Sequence, residues 1–149
     1  MKTLIAGVLL VLSLGGQGLA QCPTKINDYV NASGYKFSVA KPCSMWLISD
    51  AVKIPRDGVQ GLLLVAEEGE MLIVGTVVQP KAKLDVSAPA LLKLMRLNHE
   101  LDYVKIGIDN DGDLFVRMEL HARRVDAADF KAAVASVITA ADKIYTAIK

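Results

Sequence analysis

Leu91-Leu92-Lys93-Leu94-Met95-Arg96-Leu97-Asn98, then Ile108-Asp109-Asn110-Asp111-Gly112-Asp113-Leu114, then Val125-Asp126-Ala127-Ala128-Asp129-Phe130: these three segments, in this order, decide the fold. The first is helical in composition, with Ser87 as its cap, Pro89 in its first turn and Asn98 as its left-handed stop. The second is a hairpin turn between alternating runs. Val104, Ile106 and Ile108 share one face of Tyr103–Ile108, and Leu114, Val116, Met118 and Leu120 share one face of the returning strand. Lys105, Arg117 and Glu119 point to the other side. The third opens a long helix capped by Asp126. Its apolar positions Phe130, Val134, Val137, Ala141, Ile144 and Ile148 recur at helical spacing, with Lys131 and Lys143 outside.

Upstream, Thr24 caps a short helix with Ile26, Tyr29 and Val30 inward and Gly34 just past its end. Tyr35–Val39 and Met45–Ile48 read as strands broken by Lys41-Pro42. Ile54-Pro55-Arg56-Asp57-Gly58 has turn chemistry. Gly61–Ala66 and Met71–Val78 flank Glu67-Glu68-Gly69-Glu70 as a second hairpin. Both runs are apolar at successive positions, the pattern of strands covered on both faces. A single layer of helices cannot cover such strands, so a further helix or another subunit is expected over the second face. The Ala90–Leu97 helix raises the same expectation. At 100° per residue its apolar positions span roughly 220°, against the ~100° stripe of an ordinary surface helix. Leu91, Leu92 and Met95 are the candidate interface residues.

The fold class read from this order is α+β, an antiparallel sheet with flanking helices in the order α-β-β-β-β-α-β-β-α. The three quoted segments resemble the YbjN family, whose fold is similar to that of type III secretion chaperones. The resemblance covers most of the chain after the leader and is most specific from Leu91 onward. It implies a domain often paired into a homodimer, and no known enzyme chemistry. Members carry the label of sensory-transduction regulators. Typical members and the secretion chaperones are cytoplasmic, whereas this chain opens with an export signal.

That signal comprises Lys2, the apolar run Leu4–Leu14 and small residues at Gly18 and Ala20, with cleavage expected after Ala20. Residues 1–20 are thus read as a leader and 21–149 as a single domain. The apolar run is shorter than the ~20 residues a spanning helix needs, so no membrane insertion is expected after cleavage. Lipidation at Cys22 is disfavoured because Gln21, not a small residue, precedes it. The expected location is the periplasm or the exterior. There the two cysteines, Cys22 and Cys43, pair by default, closing a loop worth roughly 3 kcal/mol on the chain-entropy model. An intermolecular bridge or two thiols are the alternatives. No CxxC spacing or neighbouring histidine suggests redox catalysis or zinc.

Loss of Lys2 with the leader leaves 16 basic residues against 16 acidic ones. Nucleic acid and strongly anionic membranes need a basic excess, so neither is an expected partner. Asp109, Asp111 and Asp113 alternate as in a calcium loop. However, Leu114 stands where the glycine belongs and Leu120 where the twelfth-position glutamate belongs, so a solvated turn is expected rather than a metal site. His99 and His121 are read as surface residues at element ends, with no nucleophile motif near them. Arg96, Arg117, Arg123 and Arg124 could form a small basic patch, although such groups are usually solvated. Trp46 is read as a core anchor. No catalytic set and no cofactor motif is present. The expected function is a non-enzymatic, chaperone-like module acting as a homodimer, with another polypeptide as a possible partner. The alternative is a sensor with a pocket for an apolar ligand between sheet and helix.

Overall fold

The computed structural model describes residues 24–149. The leader and Cys22 lie outside the described residues. The elements are α1 (Lys25–Ala32), β1 (Phe37–Lys41), β2 (Met45–Ile48), β3 (Leu63–Glu68), β4 (Met71–Gln79), α2 (Ala88–Glu100), β5 (Lys105–Ile108), β6 (Leu114–His121) and α3 (Ala127–Ile148), with one 3-10 turn at Lys81–Lys83. This is the order expected from the sequence. The strands form one antiparallel sheet in the order β1-β2-β3-β4-β6-β5.

Register separates the two faces. Trp46 pairs with Val65, which pairs with Val74, which pairs with Met118. This row and the rows through Ile48, Leu63 and Leu72 form the inner face, with Val116 and Leu114 from β6. Phe130, Val134, Val137, Ala141 and Ile144 of α3 are buried in the same cluster, as are Ile26 and Val30 of α1. All three helices contribute to this inner cluster, α2 through Leu94. Burying these side chains stabilises the fold by about 1.5–3 kcal/mol each.

Local chemistry starts and ends the helices. Thr24 accepts a hydrogen bond from the Asn27 amide at 3.2 Å, and Gly34 leaves α1 at φ +78. Asp126 and Asp129 exchange reciprocal hydrogen bonds, a capping box that starts α3. Lys25 Nζ donates to the carbonyls of Arg123 and Val125, tying α1 to the loop before α3. Trp46 is fully buried, and its Nε1 donates to Asn27 Oδ1 at 3.3 Å.

The end of α2 differs from expectation. The helix continues through Asn98 and His99 to Glu100, and Leu101 caps it in extended backbone. Asn98 is helical because its side chain has a better partner than solvent: Oδ1 accepts the Ile106 amide at 2.8 Å. The left-handed position falls instead on Tyr103, at φ +64, and β5 begins at Lys105 rather than Tyr103. Ser87 occupies the cap position of α2 without a side-chain cap bond; its amide donates to Asp85 Oδ1, and its side chain is also hydrogen-bonded to that carboxylate. Ile108 lies on the expected face, yet it is 46% exposed, because it stands at the strand's end beyond the helix cover.

Candidate functional site

Two apolar surfaces remain open once the core is formed. The first is α2 with β5. Leu94 is buried, and Leu91 packs half-buried against the core. Leu92 and Met95, farther round α2 from Leu94, are 50% and 70% exposed. Leu91, Met95, Asn98, Ile106, Ile108 and Leu114 line a groove of about 330 Å³ between helix and strand. The expected interface residues therefore divide: Leu91 seats the helix, Met95 stands exposed at the rim of the groove, and Leu92 is exposed beside it. The sequence reading missed Ile108, whose position at a strand end was the available signal. Lys93 Nζ donates to the Ala147 carbonyl and holds α2 against the end of α3.

The second surface is the outer face of the sheet. Cross-strand rows run Met45–Ala66–Ile73–Glu119 and Leu47–Leu64–Gly75–Arg117–Lys105. A further pair, Val77 with Phe115, lies beside them. Two glycines shape this face. A Cβ at Gly75 would stand 2.8 Å from Cβ of Arg117, and one at Gly107 would stand 2.6 Å from the Phe115 ring. The Phe115 ring thus lies on Gly107, and Arg117 lies on Gly75 with its guanidinium 5.0 Å from the Phe115 ring centre. Arg117 pairs with Glu119 at 2.7 Å, and Lys105 pairs with the same carboxylate at 2.5 Å. The hydrogen bond from Lys105 is the main cause holding the Glu119 carboxyl below its ordinary range. Burial opposes this, and the charges of Arg117 and Lys105 add to the lowering. The face is hollowed into a recess of about 440 Å³, bounded at one end by Asp109, Asp111 and Asp113.

The aspartate turn is closed by its own backbone. Asp109 Oδ1 accepts the amides of Asp111 and Asp113 at 3.0 and 2.9 Å, and Gly112 sits at φ +90. Asp113 accepts the Lys81 amide at 2.8 Å. This is the arrangement of a structured turn. Among the described residues no group of three metal-ligating side chains could hold an ion. The four arginines are not gathered into a patch. Arg96 is on α2, Arg117 is committed to Glu119, and Arg123 lies 3.5 Å from Glu70. His99 is exposed in the last turn of α2, and His121 ends β6 with Nε2 3.7 Å from Glu70. Between sheet and α3 the space is taken by Val137, Ala141 and Ile144.

Comparison with known proteins places this geometry. A family model described as "YbjN: Putative bacterial sensory transduction regulator" matches residues 23–149. The chain belongs to the YbjN family. The solved structure of YbjN from E. coli, a putative transcription regulator by its description, is similar at 18% identity and a TM-score of 0.56. It covers 83% of this chain and 85% of that one. A chain of the ExoU–SpcU heterodimer from the type III secretion system of Pseudomonas aeruginosa superposes with a TM-score of 0.60. Identity is 12%, over 83% of this chain and 98% of that one. A chain from the complex of the Yersinia pestis secretion chaperone SycH with a fragment of YscM2 gives 0.52 at 9% identity, over 79% and 94%. These likenesses establish the type III secretion chaperone-like fold. Among curated proteins, none matches the chain significantly in sequence.

Proposed function

We propose that this chain is an exported, non-enzymatic polypeptide-binding module that works as a homodimer, with the α2–β5 face joining the two copies. The observation that carries the self-pairing is the exposure of Leu92, Met95 and Ile108 around the α2–β5 groove. A fold that leaves such side chains in water gains by covering them with a second copy. Polypeptide binding is supported by two complexes with the same fold: one is described as a secretion chaperone bound to a fragment of another protein, the other as a heterodimer. The leader pattern and the two cysteines support export, and we assign Cys22 and Cys43 to one intramolecular bridge. The bridge ties the mature N-terminus to the turn between β1 and β2.

Light scattering of the mature protein tests the pairing. The expected mass is that of two copies, falling to one copy in Met95→Glu. A wild-type monomer at all concentrations overturns it. Export is tested by sequencing the mature N-terminus, expected at Gln21, and by recovery from the periplasm or medium. Retention of the leader in a cytoplasmic fraction would end that reading. Crosslinking in the native compartment tests polypeptide binding, and failure to trap any polypeptide from several surface positions would count against it.

A further inference from the structure

We infer that the outer face of the sheet seats the partner polypeptide, and that the partner presents an amphipathic helix with a basic end lying over the aspartate turn. The inference rests on the polypeptide-binding reading and gives it a place and a chemistry.

The face is apolar where it is hollow. Ala66 and Gly75 form a floor with almost no side chain, and Leu64, Ile73, Val77 and Phe115 rise around it. The strands beneath are β3, β4 and β6, each paired on both sides. No free strand edge exists there, so an occupant cannot borrow hydrogen bonds from the sheet. It must satisfy its own backbone while offering an apolar stripe, which is what a helix does and what α3 does on the opposite face.

Charge orients it. The basic side chains on the face, Arg117 and Lys105, are already committed to Glu119. Asp109, Asp111 and Asp113 border the recess and, among the described residues, form no ion pair, with the Lys81 stem lying on Gly112 between them; the other end carries the single carboxylate of Glu68. A helix whose lysines or arginines reach this end complements it. A helix with an acidic end meets three carboxylates.

The test uses two synthetic amphipathic peptides of about five helical turns sharing one leucine stripe. One ends in lysines and the other in glutamates. Fluorescence anisotropy against the mature protein should show the lysine-ended peptide binding about tenfold or more tightly than the other. Ile73→Glu should lose that binding while circular dichroism is retained. Asp111→Lys, on the exposed turn away from the core, should narrow the preference. Equal binding of the two peptides, or loss of binding in Met95→Glu but not in Ile73→Glu, overturns the inference. So does an Ile73→Glu protein that turns from dimer to monomer, which would make this face the self-interface. A photo-crosslinker at position 64 and another at position 95 separate the two readings. A polypeptide other than a second copy of this chain, trapped in the native compartment from position 95 alone, leaves the binding module standing and ends this site. No such polypeptide trapped from either position ends both.

Discussion

Cys43 occupies a position that suits glycine better. Lys41-Pro42-Cys43-Ser44 closes with the Ser44 amide on the Lys41 carbonyl at 3.3 Å, and Cys43 has φ +62. Proline at the second position and positive φ at the third define a type II turn, where a side chain costs about 1–2 kcal/mol. The proposed bridge to Cys22 gives a reason for a cysteine at this position. Cys43→Gly should therefore change sign with redox state. Under reducing conditions it should stabilise the protein by about 1 kcal/mol. Under oxidising conditions it should destabilise, because the proposed bridge would be worth roughly 3 kcal/mol. Denaturant melts with and without reductant read both values, and an unchanged sign would refute the bridge. Glu119 gives a second residue-scale test. Its carboxyl is held low by the Lys105 hydrogen bond, so its contribution is present above the ordinary glutamate range and lost as pH falls through the depressed folded value. Acidification below about pH 4 should lower the melting temperature of the wild type more steeply than that of Lys105→Met. The effect is small, because the Lys105 end of the pair is exposed.

Among the elements, β4 is constrained by backbone at one position. Gly75 lies under Arg117 and 3.1 Å, by its missing Cβ, from the Val116 carbonyl. Gly75→Ala should cost about 1–3 kcal/mol in a denaturant melt, because backbone and not a flexible side-chain tip must move. The same level shows what the residue pattern reveals and what it hides. The α3 cap was legible because Asp126 and Asp129 are local partners three residues apart. The burial of Trp46 and the two-sided apolarity of β3 and β4 were legible too, since both depend on residue type and period. The end of α2 was not. Asn98 has the local preference of a terminator, but its side chain meets an amide eight residues on, a contact that no window of sequence contains. The exposure of Ile108 was hidden for a similar reason: alternation assigns a face, whereas cover depends on where the helix above it stops.

For the molecule as a whole, one cluster links Ile26 at its beginning, Trp46 in β2 and Ile144 near its end. Trp46 fluorescence reports the α1–β2 end, and far-ultraviolet dichroism reports mainly α3. The two probes should give one shared unfolding midpoint, as expected for a chain with a single continuous core. Separate midpoints would show that the α1–β2 end melts independently. The near balance of charge belongs to this scale as well. It leaves recognition to local shape and local charge rather than to a long-range field.

The Asn98 side chain has a further effect at the border of the sheet. β5 is an outermost strand, and the Ile106 amide that would otherwise point into water is already occupied. An intruding chain seeking to continue the ladder finds that rung filled. One filled rung disfavours edge-to-edge addition of a further strand beside the exposed apolar side chains of this face.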